Sequence, residues 1–205
     1  MIWTKKSDFN SSCIFLCHKN RIVKMKSFLD KLIGGDLRSI GRTNEVVNEV
    51  KNQHDFDILF EGLYHQDRKI KMRTADAIEK ITLLTPTFLA THKKEIVQLC
   101  SQAEHIELKW HLALLVSRLP LKSTELNEVW RRLAGWAMDK KESKIVRVNS
   151  LQSLSVLSKD NKVLLEEFEL MINKLRKENI PSLNARIKKI QSSLLPSSAM
   201  RTILG

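Results

Sequence analysis

The chain of 205 residues is 42% hydrophobic, which is enough to bury a sizeable core and excludes disorder of the whole chain. Its 6 glycines and 4 prolines are too few for a fold rich in tight turns, so the composition predicts an all-α protein. The net charge of +12 would favour a nucleic-acid or anionic partner, but residues 1–35 carry +5 of it and residues 36–195 only +6, spread along their length.

The N-terminal residues differ from the rest of the chain. Residues 1–24 lack the helical spacing of apolar residues that begins at Met25. We therefore predict a flexible basic segment over 1–24, either a native tail or sequence upstream of a true start at Met25. A short helix and a glycine-containing linker should follow over 25–43.

Nothing in the N-terminal sequence predicts export or a membrane partner. The longest apolar stretch there, residues 13–17, is far shorter than the core of a signal peptide or a membrane span. Cysteine is also rare, with three in the chain, as is usual in a reducing compartment. The sequence therefore predicts a cytoplasmic protein.

Three metal-ligating side chains lie close together near the N-terminus. Cys13, Cys17 and His18 fall within six residues, but a structural zinc site needs four ligands, and no fourth lies nearby at a suitable spacing. We therefore predict no metal site, and no motif indicates any other cofactor.

The glycine-containing segment from Gly35 to Thr43 superficially resembles a phosphate-binding P-loop. Five residues rather than four separate its glycines, arginine replaces the lysine that would reach the phosphates, and no strand precedes it. We interpret it as a linker, with Thr43 or Asn44 capping the next helix.

A repeat of 38 residues dominates the rest of the chain. When residues 70–78 are aligned with the segments one and two periods later, the copies share aliphatic, basic, apolar and polar positions followed by small or aliphatic residues. The spacing is that of one helix face and predicts equivalent buried positions for Ala75, Ala113 and Leu151. A second amphipathic stretch precedes each copy, so each unit should be a helical hairpin.

Helix-breaking sequences set the boundaries of these units. They comprise Thr85-Pro86, the segment 120–123 and the segment 159–161. The predicted organisation is a repeat domain over 44–195, comprising a capping helix from Asn44 to Lys51, units at 47–84, 85–122 and 123–160, and a divergent capping hairpin at 163–195, followed by a flexible tail at 196–205.

The pattern Asp67-x-x-Ile70-Lys71-x-x-x-Ala75-x-Ala77-Ile78 resembles the second helix of a HEAT repeat, in which an aspartate, an aliphatic-basic pair and small residues recur. The resemblance covers about 36–195 and is strongest in the first unit. It implies a right-handed α-solenoid of about three to four HEAT-like hairpins. Because this superfamily consists of scaffolds, we expect a non-catalytic protein that binds a protein partner on its concave helical face.

A basic residue recurs with the repeat at Lys71, Lys109 and Arg147, and Arg73 and His111 lie two positions after the first two of these. As a solvent-exposed stripe, these residues would bind phosphate groups or an acidic peptide. As an internal ladder, each basic residue would instead pair with a carboxylate or carbonyl group of a neighbouring repeat. We favour the ladder, because a charge that repeats with the fold usually stabilises the fold.

Two other functions remain alternatives to a protein-binding scaffold. The basic row and the net charge are compatible with binding a nucleic-acid backbone. DNA glycosylases built on HEAT-like repeats use tryptophans, an arginine and an aspartate, although the spacing of Trp136 and Asp139 does not reproduce their arrangement. No Ser-His-Asp grouping is readable, so we predict no enzyme. The residues of the glycosylase type are Trp110, Trp130, Trp136, Arg131, Arg132 and Asp139.

Overall fold

The structure is a computed structural model that describes residues 8–34 and 42–194, of which 8–18 and 194 are described by their backbone alone. All regular structure in these ranges is helical, which confirms the predicted all-α class. None of the described helices is long and apolar enough to cross a membrane. The α-helices are α1 Asp8–Leu32, α2 Thr43–Glu49, α3 Gln53–Phe60, α4 Arg68–Leu84, α5 Lys93–Gln102, α6 Ile106–Val116, α7 Ser123–Met138, α8 Lys144–Leu157, α9 Lys162–Arg176 and α10 Pro181–Leu194, with 3-10 turns at Glu61–Tyr64 and Pro86–His92.

The contacts divide the chain into two compact units, with the division after Phe88. In the first unit, α1 begins at Asp8, well before the Met25 that the apolar spacing indicated. The early apolar residues are consecutive and therefore show no helical period. The absence of glycine and proline from residues 1–33 was the better indication of a helix there.

Residues near the middle of α1 contact the rest of the first unit. Arg21 forms an ion pair with Glu61, and the Lys24 ammonium lies 3.3 Å from a carboxylate oxygen of Asp55. The expected boundary between tail and body at residue 24 therefore falls inside a continuous helix. Residues 1–7 and the side chains of Ile14 and Phe15 lie outside the described part of the chain, as does the predicted tail at 196–205.

Helices α1 to α4 pack together in the first unit. Helix α2 packs on α4, α1 packs on α3, and α3 packs on α4. The Asp67 carboxylate caps α4 by accepting a hydrogen bond of 2.7 Å from the Lys69 amide. Ala75 is fully buried at the centre of α4, as the repeat alignment predicts. Helix α2 begins at Thr43 without a side-chain cap, so the expected capping by Thr43 or Asn44 is wrong.

The second unit consists of three hairpins: α5 with α6, α7 with α8, and α9 with α10. Their second helices lie side by side, because α6 packs on α8 and α8 packs on α10. Among the first helices, α5 packs on α7, and the Trp130 indole of α7 donates a hydrogen bond of 2.6 Å to Glu167 of α9. The unit therefore has a layer of first helices and a layer of second helices.

Buried residues of the second helices lie between these layers. Ala113 of α6 and Leu151 of α8 are fully buried at the positions equivalent to Ala75. The last hairpin turns at Asn179, whose φ of 53° is in the left-handed region that asparagine tolerates, and Pro181 begins α10. Proline therefore starts the final helix instead of interrupting it.

Candidate functional site

The recurring basic row was the first candidate site, and in the second unit its members are paired. The Lys109 ammonium forms an ion pair with Glu142, in the turn before the following hairpin's second helix, and lies 5.8 Å from the ring centre of Trp136. Both charged side chains of the pair are more than four-fifths buried. Lys109 therefore stabilises the contact between two hairpins, with most of its side chain buried in the pair.

Arg147 makes the corresponding contacts one repeat later. Its Nε donates a hydrogen bond of 2.8 Å to the Ala137 carbonyl oxygen, near the end of α7. Its Nη2 donates to both carboxylate oxygens of Glu178, which precedes the final helix. The Arg147 side chain is only 2% exposed. Lys109 and Arg147 thus make the contacts that an internal ladder predicts.

The other members of the predicted row also lie mainly inside the fold. Lys71 is half-buried on α4. Arg73 is completely buried and donates a hydrogen bond of 2.6 Å to the Leu32 carbonyl oxygen at the end of α1. His111 is buried on α6, and its ring meets the neighbouring Trp110 edge-to-face, with 5.4 Å between the ring centres. None of these five side chains is fully exposed, so they do not form an open basic stripe.

Four of the six residues of the glycosylase type, Arg131, Arg132, Trp136 and Asp139, line one cleft, and the other two, Trp110 and Trp130, do not. Trp130 is buried against Glu167, and Trp110 is half-buried on α6. In that cleft, Asp139 accepts a hydrogen bond of 2.8 Å from the Lys141 amide, and Trp136 is only 5% exposed. One buried tryptophan beside an aspartate does not make an aromatic cage for a flipped base.

That cleft has a volume of about 620 Å³ and lies between α5, α7 and the turn before α8. Its lining charges have mixed sign, with the Lys109–Glu142 ion pair in the wall and the Arg132 guanidinium hydrogen-bonded to the Ser101 carbonyl oxygen. Burial raises the pKa of the Cys100 thiol in its wall to about 12, so this thiol stays protonated at neutral pH. The cleft thus holds no activated cysteine nucleophile.

The layer of second helices carries a more coherent surface. On α8, every third or fourth residue is exposed or half-buried, and the stripe they form faces away from the core. The flanking helices contact this stripe. The Asn149 side-chain amide donates a hydrogen bond of 3.1 Å to the Trp110 carbonyl oxygen, and Arg186 donates one of 2.8 Å to the Gln152 side chain. We call this surface the second-helix face, defined by Ile145, Val148, Asn149, Gln152 and Val156 with Trp110 and Arg186 at its sides.

The sequence analysis expected a binding surface on the concave helical face but did not single out the residues of the second-helix face. Ile145 is 46% exposed and Val156 is 39% exposed. The available signal was that α8 has apolar residues on both sides and no acidic residue. A helix with apolar residues on both sides is either buried or covered by a partner.

A smaller groove of about 340 Å³ lies between the first helices α7 and α9, where Leu170 is 64% exposed. Among side chains that the structure describes, no three His, Cys, Asp or Glu residues gather as metal ligands. Those of Cys13, Cys17 and His18 are not among them, and the P-loop-like segment lies largely outside the described residues. No protein-family model, no curated protein and no solved structure matches the chain.

Proposed function

We propose that the chain is a non-catalytic HEAT-like repeat scaffold, a right-handed α-solenoid, that binds a protein partner on the surface of its second helices. The observation that carries the proposal is the second-helix face, where aliphatic side chains on α8 remain exposed although the helix is packed on both sides. When a partner covers aliphatic residues on a surface of this kind, their removal from water stabilises the complex.

The packing of the second unit supports a solenoid. Each hairpin there packs its second helix on the second helix of the next, and the Lys109–Glu142 and Arg147–Glu178 ion pairs connect successive hairpins. A repeat array distributes its stability over such neighbour contacts and leaves a broad surface for binding. We place the protein in the cytoplasm because its three cysteines are few and one of them, Cys100, is a buried free thiol.

A nucleic-acid backbone is the second candidate partner. It is favoured by the charges of α8 and α10, which together carry five basic residues and no acidic residue. Phosphate contacts would make such binding strongly dependent on salt. The exposed aliphatic residues of α8 have no role in this alternative, and for this reason we prefer a protein.

The two candidates can be tested with one pair of matched variants. Ile145 and Val163 are each the second residue of a helix, α8 and α9, and both are exposed β-branched residues. Glutamate at either position lies in a first helical turn, where the helix dipole favours it to a similar extent. Ile145→Glu changes the second-helix face, whereas Val163→Glu changes the layer of first helices.

The full chain and both variants would be used to capture partners from a lysate of the native cell, with and without nuclease. We expect one protein to be retained by the unmodified chain and by Val163→Glu, with nuclease present, and to be lost from Ile145→Glu. Equal retention by both variants would contradict binding through the second-helix face. Loss of all partners with nuclease would favour the nucleic-acid backbone.

A further inference from the structure

In the last two hairpins of the second unit, the first and second helices carry different charges, whereas α6, the second helix of the hairpin before them, carries both Glu107 and Lys109. The first helices α7 and α9 carry acidic and basic residues in equal number. The second helices α8 and α10 carry only basic residues, namely Lys144, Arg147, Arg186, Lys188 and Lys189. Because Arg147 is buried and paired with Glu178, the exposed positive charge of this layer comes mainly from α10 and from the start of α8.

The positive charge of α10 borders the aliphatic stripe of α8. Arg186 is fixed beside the stripe by its hydrogen bond of 2.8 Å to Gln152. Lys189 follows Arg186 by three residues and therefore lies on the same side of α10, where it is exposed. A ligand that covers Val148 and Val156 thus has a basic border along one side.

The chemistry of the second-helix face fits a protein segment better than a nucleic acid. Ile145, Val148 and Val156 require apolar groups of the partner, which a sugar-phosphate backbone does not supply. The tryptophan at the side of the stripe, Trp110, is half-buried in its own helix and packed against His111, so it does not form an open stacking platform for bases. The basic border nevertheless requires negative charge opposite it.

From this arrangement we infer that the partner binds through an acidic segment in which carboxylates alternate with aliphatic or aromatic side chains. The inference rests on the proposed function and specifies its ligand. The aliphatic side chains of the segment cover Ile145 and Val156, and its carboxylates pair with Arg186 and Lys189. Charge complementarity of this kind increases the association rate and selects against basic or neutral segments.

Two synthetic peptides of equal length provide the test, one of alternating Glu and Leu and one of alternating Gln and Leu. An oligothymidylate of similar extended length is the nucleic-acid probe. Binding of each labelled probe to the full chain would be followed by fluorescence anisotropy. We expect the Glu-Leu peptide to bind more tightly than the Gln-Leu peptide and the oligothymidylate. The preference for Glu over Gln should shrink as salt is raised, because exposed charge pairs are screened.

Two double variants with the same loss of charge locate the interaction. Arg186→Gln/Lys189→Gln removes the basic border, and Lys174→Gln/Lys177→Gln removes two exposed charges with the same spacing at the end of α9. We expect the first variant to weaken Glu-Leu binding by about two- to tenfold, the size of two exposed ion pairs, and the second to leave it unchanged. Ile145→Ser/Val156→Ser should weaken the binding of both peptides.

The outcomes separate this inference from the proposed function. Equal binding of the Glu-Leu and Gln-Leu peptides, together with sensitivity to Ile145→Ser/Val156→Ser, would overturn the acidic segment and retain a protein-binding face. Tighter binding of the oligothymidylate that depends on Arg186 and Lys189 would overturn both. Circular dichroism of each variant verifies that the helices are intact, so that a loss of binding reports on the surface.

Discussion

Arg147 and Glu178 form an ion pair in which one guanidinium nitrogen, Nη2, lies 3.0 and 2.9 Å from the two carboxylate oxygens. The same arginine donates to the Ala137 carbonyl oxygen through Nε. The two residues connect α8 to the turn before α10, and their side chains are only 2% and 13% exposed. A charge this well buried is stable only while its partner remains.

Replacing Arg147 by alanine should therefore destabilise the protein strongly. The change leaves the Glu178 carboxylate desolvated without its partner, and we expect a loss of about 3–5 kcal/mol in the free energy of unfolding. Urea denaturation followed by circular dichroism measures this loss. The double variant Arg147→Ala/Glu178→Ala should lose less than the two single variants added together, because the second change removes the stranded charge. A loss under about 1 kcal/mol for Arg147→Ala, the size found for exposed pairs, would contradict the buried ladder.

The centre of α4 offers a test of the core register. Ala75 has no exposed surface, and a leucine there would force neighbouring side chains apart. We expect Ala75→Leu to cost about 1–3 kcal/mol and to lower Tm. Ala185→Leu is the matched control, because Ala185 is an exposed alanine within α10. An unchanged Tm for Ala75→Leu would show that the helix faces a different way.

Gly62 allows α4 to approach the 3-10 turn that precedes it. A Cβ atom at this position would collide with the Thr74 side chain, whose buried hydroxyl has no hydrogen-bond partner among the described residues. Gly62→Ala should therefore cost about 1–3 kcal/mol of stability. Adding Thr74→Ala should return part of this loss, because it shortens the colliding side chain. If the double variant lost the full sum of the stability lost by the two single variants, the collision would not be the cause.

Glu125 should contribute to stability in a way that depends on pH. A hydrogen bond of 2.7 Å from the Lys122 amide, followed by the bond from the Lys93 ammonium, lowers the pKa of this carboxyl below its usual 4.5. A folded-state pKa below the unfolded value means that the stabilisation is complete above 4.5 and is lost as the pH falls through the lowered pKa. We expect Tm of Glu125→Gln to lie below that of the unmodified chain near neutral pH and to approach it in acid. A difference that stays constant with pH would show that the carboxylate charge has no part in it.

The 38-residue period was sufficient to predict the hairpins and the buried positions of Ala75, Ala113 and Leu151, because a helix face is recorded directly in the spacing of its apolar residues. The start of α1 could not be found in this way, since that helix has consecutive apolar residues. Whether Arg147 was a ligand or a structural residue depended on Glu178, which lies 31 positions away. The sequence pattern carries no information on which distant carboxylate an arginine will meet.

The second-helix face was likewise beyond a reading of period alone. Ile145 and Val156 are aliphatic residues of the kind usually found in a core. They are exposed because α6 and α10 pack on the two sides of α8 and do not cover the stripe between them. Burial is a property of the neighbours as well as of the residue. The ionisable residues of α10 are all basic, and the contact between Arg186 and Gln152 places them beside the aliphatic stripe.

Site-specific photocrosslinking in the native cell tests the central claim most directly. A photoreactive amino acid would replace Val156 on the second-helix face in one chain and Leu170, in the groove between the first helices, in another; both residues are exposed. A protein partner that covers the second-helix face should give one discrete adduct from position 156 and none of the same mass from position 170. A protein adduct from position 170 alone, or adducts from position 156 that disappear with nuclease, would contradict the account.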